Sequence, residues 1–538
     1  MVAIVSSNHG KNKDPFPWIF LLAGVITRIP FSSRFLLHMD SGQFVLALEN
    51  FDVTVHQPHP PGYFLYVMLG RLIHFFVDDG NAVFVAISVF FSGLTMVAVY
   101  RLGKEMFDTK TGAIAALLAL TSPNVWFHGE VALTYIGEAF FSTAIAFFCW
   151  KIINGEEKYV WISAIALGIA GGIRQNTAVF LLPLWIYSIR NLTKGKILAS
   201  LTLLGGTILS WFIPMIRMSG GWNSYRSALH ELWVFHTGGH SIYDSGWASF
   251  KVFSFALLSH LVHGLGAGFF PLVLSFYSLI RRGKSRLLDR KKVMFFSLWV
   301  FPTMFFYLFV FISVQNPGYV LMLLPPLFLM TSISILYLGK ELTERYGKHA
   351  SPWIVFVLVV LNTAMFFSLK TPVSYPWIRH HDRELSLLLK DIRTFDPGET
   401  AVFVNNYIYY SYRHVMVYLP QYRVYNVDVR ESSSGERRKT FWGIHGKTYL
   451  AEEITLPAKV RRFVSPLDIG DGKYWEKKAF EDAGICIKEI SPNLRLASGG
   501  VDLLRYLYPN LGATSANRHD LRGASGLERS RGSRKRQT

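Results

Sequence analysis

The chain is poor in cysteine and in charge. Only Cys149 and Cys486 occur among its 538 residues, which excludes the disulfide framework of a cysteine-rich secreted fold. Charged residues make up 17%, where a soluble chain of this size carries about 25%. Hydrophobic residues reach 51% and aromatics 15%, with a mean hydropathy of +0.27. Long apolar blocks separated by short basic segments make this a polytopic membrane protein. The first apolar block has no small-residue cleavage site behind it and reads as a retained anchor. No Walker A, GxSxG, HExxH or Rossmann glycine pattern stands in a suitable context, and no repeat has a convincing period. The net charge of +19 does not argue for nucleic acid, because most of it lies between apolar blocks, where it orients helices.

The apolar blocks predict about eleven transmembrane helices, at 16–32, 82–100, 111–128, 134–153, 158–173, 177–190, 196–216, 251–280, 293–314, 318–338 and 351–369. The run Tyr63–Val77 is short for a span, which needs about 20 residues, and contains Arg71 and His74. Charge decides its place. If it does not span, Lys104, Lys151, Lys194, the cluster "RRGKSRLLDRKK" (281–292) and Arg345 all fall on one side. That is the positive-inside pattern; a span at 63–77 would turn the cluster outward. The run therefore reads as an interfacial helix on the outer surface, with Arg71 and His74 on its wet face. It follows that the N-terminus is cytoplasmic, loops 33–81 and 218–250 lie outside, and so does a small α/β domain at 371–510. The tail 511–538 is basic, lacks aromatics and is expected to be disordered.

Ionisable residues gather at the outer ends of the spans. Asp40 follows the first span and opens "DSGQFVLALENF", an amphipathic helix with Asp40 at or near its N-cap. A partly desolvated carboxylate there suits a general base, although a solvated loop acid fits as well. "HQPHPPGY" (56–63) fixes a stiff corner carrying His56 and His59, structural or in contact with ligand. "FHGEVALTYIGEAFF" brings Glu130 and Glu138 near the membrane boundary. Arg174 sits in "GGIRQN", between two spans that reach only about 21 to 24 Å. Its tip thus stops below the outer surface and demands an anionic partner: Glu138 or another acid, or a lipid phosphate that a guanidinium fork fits. "QNPGYVLMLLPP" would kink the tenth span. In loop 218–250 an aromatic, hydroxyl-rich lining that could stack on sugars outweighs a metal site at His236 and His240, because Gly238 and Gly239 separate them.

Taken in order, these segments resemble one superfamily over roughly residues 16–340. The acid after the first span, "PPGY", "LLALTSPNVWFHGEVALTY", "GGIRQNTAVFLLPLW" and "NPGYVLMLLPPL" are similar to motifs of the C-type integral-membrane glycosyltransferases, in the protein O-mannosyltransferase and aminoarabinose-transferase branch. The resemblance implies inverting transfer of a sugar from a polyprenyl-phosphate carrier to a glycan, lipid or protein acceptor on the outer face. Asp40 would be the catalytic acid of the first outer loop, and Glu130 or Glu138 the second. Arg174, Tyr63, Gln175 and Tyr319 fall in the matching segments, and with His59, which stands just before "PPGY", they are the candidate substrate-binding residues. A divalent metal stays compatible with the family, but the branch often pairs a second acid with the first, and here Ser41 follows Asp40. The expected home is a bacterial inner (plasma) membrane. The rival reading, a transporter or flippase for a lipid-linked glycan, would call for charges near the middle of several spans and for internal symmetry. A non-catalytic scaffold would be indifferent to loss of Asp40.

Overall fold

The computed structural model describes residues 14–237, 242–282, 288–347, 350–369, 371–404 and 408–431, and strand segments beyond. The chain divides into two compact units, Met1–Arg383 and Glu384–Thr538. The tail expected to be disordered, 511–538, lies outside the described residues.

The first unit is helical. Its helices are α1 (Phe16–Ile26), α2 (Met39–Glu49), α3 (Phe64–His74), α4 (Gly80–Met106), α5 (Thr109–Thr121), α6 (Pro123–His128), α7 (Tyr135–Ile153), α8 (Tyr159–Ile173) and α9 (Gln175–Ile189). There follow α10 (Lys194–Met218), α11 (Trp222–Thr237), α12 (Ile242–Ser245), α13 (Trp247–Leu265), α14 (Phe269–Arg282), α15 (Arg290–Phe309), α16 (Leu324–Tyr346) and α17 (Ala350–Ser368). Helix α18 (Tyr375–Ile392) runs from this unit into the second. Every expected span overlaps a helix, and among the described residues six helical stretches are long and apolar enough to cross a membrane.

Helix α4 is the centre of the bundle, whereas α10 and α17 leave most of their apolar surface exposed, as lipid-facing helices do. Small residues allow the tightest crossing: a Cβ on Gly103 of α4 would lie 2.6 Å from the Cα of Gly112 on α5.

Several boundaries differ from the sequence reading for local reasons. The third span breaks at Ser122, whose side chain caps α6 by accepting from Val125 N, with Pro123 in the first turn. The tenth begins at Leu324 rather than 318. Pro317 opens a 3₁₀ turn (Pro317–Met322), and Pro325 and Pro326 occupy the first turn of α16, where no N–H is needed, so they start the helix instead of kinking it. The segment 218–250 is largely helical, as α11, α12 and the start of α13, and not a loop.

Helix α3 forms where the interfacial helix was expected, burying Phe64, Tyr66, Val67 and Gly70 and exposing Leu72, Phe75 and Phe76 beyond them. Arg71 is not simply on a wet face. It is half-buried, and its Nη2 donates to the carbonyls of Ala47 (2.9 Å) and Glu49 (3.4 Å), closing the C-terminal end of α2.

In the second unit, β1 (Thr400–Val404), β2 (Arg423–Glu431), β3 (Arg437–Trp442), β4 (Thr448–Leu450), β5 (Arg462–Pro466), β6 (Cys486–Ser491) and β7 (Leu494–Ser498) form one sheet in the order β4-β3-β2-β1-β5-β7-β6. Among the described residues only the central β1 pairs in parallel, with β2 and β5. Helix α19 (Tyr412–Tyr418) precedes β2.

Candidate active site

The chain leaves α1, crosses an irregular segment and enters α2 at His38, which has extended φ and ψ and caps the helix by accepting the Asp40 N–H on Nδ1 (3.1 Å). Asp40 therefore lies in the first turn of α2, where the helix dipole favours a carboxylate. Two imidazoles flank it: His38 Nδ1 is 3.4 Å from Oδ2 and His59 Nδ1 is 3.7 Å from Oδ1. His59 is brought there by the proline corner, in which His56 and Tyr63 adopt positive φ. Its backbone N–H and its Nδ1–H both donate to Gln43 Oε1, one turn along α2 from Asp40, and its Nε2 accepts from the Tyr63 hydroxyl (3.0 Å).

A second group forms around Arg174, the single extended residue joining α8 to α9. Its Nε is 3.0 Å from Glu138 Oε1, and its Nη1 donates to Thr134 Oγ1 (3.0 Å). The Thr177 hydroxyl donates to the same Glu138 oxygen (3.3 Å). The guanidinium centre lies 4.1 Å from the Tyr135 ring centre, 5.5 Å from that of Tyr319 and 5.8 Å from that of Tyr63. Pairing, hydrogen bonds and aromatic faces together compensate the burial of the cation. Nη2 has no protein hydrogen-bond partner among the described residues. Asn316 Nδ2 donates to the Tyr135 hydroxyl (2.9 Å) and so holds that ring, and the Tyr307 hydroxyl donates to the backbone carbonyl of Tyr319 (2.7 Å).

The corner joins the two groups. Gln175 Nε2 and the Tyr225 hydroxyl both donate to the Pro61 carbonyl, at 3.1 and 3.0 Å. Tyr63 reaches His59 with its hydroxyl and Arg174 with its ring. Burial holds the Tyr63 phenol above its usual range; Arg174 draws it back down, while Asp40, Tyr319 and Glu138 add to the rise.

Asp40, His59, Tyr63, Glu138, Arg174, Gln175 and Tyr319 are thus linked in one cluster. Glu130 stands apart from it. Fully buried, it accepts from Trp126 Nε1 (2.6 Å), and Arg28 lies over that indole ring at 4.4 Å. Burial holds the Glu130 carboxyl well above its usual range, with Arg28 the main opposing influence.

Tyr225, expected in an aromatic lining, is buried and supports the corner, whereas Trp222 and Trp233 are exposed. A hydroxyl-lined cavity of about 340 Å³, bounded by Thr54, Ser219, Ser224, Ser227 and Glu231, touches none of the cluster. The side chains of His236 and His240 lie outside the described residues. Among the described residues no group of three or more His, Cys, Asp or Glu side chains is arranged to hold a metal ion.

Residues 58–217 match the family model for dolichyl-phosphate-mannose-protein mannosyltransferases. ArnT from Cupriavidus metallidurans, solved bound to undecaprenyl phosphate, has a similar structure, with a TM-score of 0.54 at 12% identity over 91% of this chain and 98% of that one. Its apo state gives 0.53 at 11% identity, covering 90% and 97%. The chain has the fold of the C-type integral-membrane glycosyltransferases. The oligosaccharyltransferase of Archaeoglobus fulgidus, in complex with zinc and sulfate, scores 0.49 at 13% identity over 86% of this chain and 69% of that one. Among curated proteins, none matches this chain in sequence.

The stretch matched to the mannosyltransferase model contains His59, Tyr63, Glu130, Glu138, Arg174 and Gln175, while Asp40 and Tyr319 lie outside it. Within this C-type fold, the sequence reading missed His38, Gln43, Thr134, Tyr135, Thr177 and Asn316. Two of these had a signal. His38 stands two residues before the candidate base, and Asn316 opens the Asn-Pro-Gly turn.

Proposed function

We propose that this protein is a membrane glycosyltransferase that moves a sugar from a polyprenyl-phosphate carrier to an acceptor hydroxyl on the outer face of the membrane, with inversion. The observation that carries the reading is the joining of a carboxylate group to a cationic group through the proline corner: Asp40 beside His59, His59 bonded to Tyr63, and Tyr63 over Arg174. The ArnT structure binds undecaprenyl phosphate, and a lipid phosphate is the anion that the Arg174 Nη2 would meet here.

In the proposed reaction Asp40 accepts the proton of the acceptor hydroxyl as its oxygen bonds to the anomeric carbon. The bond from that carbon to the carrier phosphate breaks, and the negative charge on the departing phosphate falls to Arg174. Glu138 holds Arg174 in place and is spent on it, so it acts on the clamp and not as a second base. Glu130 belongs to a structural group. The acceptor is a glycan, lipid or protein that presents a hydroxyl. Reconstitution of the purified protein with a panel of radiolabelled polyprenyl-phosphate sugars tests the reading: label should pass to an acceptor from at least one donor, and no transfer from any would count against it.

A further inference from the structure

Between α1 and α2 the chain has no regular structure beyond one 3₁₀ turn, Ile29–Phe31. Left to itself, such a segment is conformationally free. Here its backbone groups are engaged one after another. Arg379 Nη2 donates to the carbonyls of Phe31 (2.8 Å) and Ser32 (2.6 Å). The Ser33 N–H donates to the Glu130 carbonyl (2.9 Å), and the Ser33 carbonyl accepts from Asn81 Nδ2 (3.0 Å). Asp382 accepts the Arg34 N–H on both carboxylate oxygens (3.1 and 3.2 Å) and the Phe35 N–H on Oδ1 (3.2 Å).

Two of the engaging side chains come from one turn of α18. Arg379 and Asp382 are three residues apart and form an ion pair at 2.9 Å, with Asp382 buried. The Phe31 ring packs edge-on against Tyr375 of the same helix, at 5.3 Å between centres. Beyond Phe35 the chain has little play before the base. Leu36 and Leu37 are fully buried, and His38 then caps α2.

We infer that Arg379 and Asp382 are positioning residues for the catalytic base: they hold segment 31–35, and through it set where α2 presents Asp40. Neither belongs to the cluster around Arg174. The inference rests on the proposed role of Asp40. The bonds are charge-assisted on the side-chain side, and a misplacement of about 1 Å at a reacting group can cost about 100-fold in rate. The effect should therefore fall on turnover and leave donor binding, which is the task of the Arg174 side, intact.

The experiment measures initial rates against donor concentration for the full-length protein in nanodiscs, comparing wild type with Asp382→Asn, Arg379→Lys and Arg379→Gln. Melting temperature and amide hydrogen exchange over residues 31–43 are recorded beside them. Asp382→Asn should lower kcat by about 10- to 100-fold, keep donor KM within about twofold, and speed exchange in 31–40. Arg379→Lys should retain more kcat than Arg379→Gln. Should Asp382→Asn fail to fold, the two Arg379 variants carry the same comparison. Wild-type kcat together with faster exchange would reduce the contact to a structural one and overturn the inference alone, as would a rise in donor KM with kcat unchanged. A wild-type protein that transfers no sugar overturns the proposed function and this inference together.

Discussion

Arg174 and Glu138 form a buried ion pair, Nε to Oε1 at 3.0 Å, with the Thr177 hydroxyl donating to the same carboxylate oxygen. Removing one member of such a pair leaves the other charge buried and unpaired, at a cost of about 3–5 kcal/mol. Glu138→Gln should therefore lower thermal stability and raise donor KM, because Arg174 loses its anchor. Combining it with Arg174→Gln should restore part of the stability, by the non-additivity expected of groups in contact. Glu130→Gln, whose partners are Trp126 and Arg28, should leave donor KM unchanged. Unfolding followed by tryptophan fluorescence, with donor saturation curves, checks all three variants.

Arg174→Ala should raise donor KM and lower turnover together, since the guanidinium is proposed to meet the carrier phosphate both before and after it departs. Arg174→Lys should recover only part of either, because a point charge lacks the planar fork and its fit to phosphate oxygens. An Arg174→Ala protein with intact kinetics and a lowered melting temperature would make the arginine purely structural.

Gly318 gives a test of the aromatic side. A Cβ there would lie 2.6 Å from His128 Nε2 and 2.6 Å from Tyr135 ring atoms. Gly318→Ala should push Tyr135 from beneath Arg174 and cost about 1–3 kcal/mol of stability, the range for overpacking a tight core. Donor KM should rise with it. Measurement of both quantities on purified protein would settle the point, and an unchanged donor KM would detach Tyr135 from the phosphate side.

The helices were legible because apolar blocks alternate with short polar segments; what the blocks do not encode is where a helix starts. At Ser122–Pro123 and at Pro325–Pro326 the deciding signal was local, a capping hydroxyl or prolines in a first turn, and hydropathy alone ran through it. The nearness of His59 to Asp40 follows from the stiffness of "HPPGY", which folds the chain back onto α2. The choice between Glu130 and Glu138 could not be read. The two acids lie in one segment, and what separates them is chain far away: Arg28 on one side, Arg174 and Thr177 on the other. Likewise nothing beside "HHDRE" in the sequence announces that Asp382 accepts the N–H groups of Arg34 and Phe35. Pairings over such separations are set by packing, not by pattern.

The central claim is that Asp40 is the base, and Asp40→Asn tests it most directly. Asn is nearly isosteric, and its backbone N–H can still donate to His38 Nδ1 at the start of α2, so folding and donor KM should survive. General-base catalysis typically contributes about 10²- to 10⁴-fold. Turnover of the purified Asp40→Asn protein, with a donor that the wild type uses, should fall by about that factor. Transfer at the wild-type rate would remove Asp40 from the mechanism.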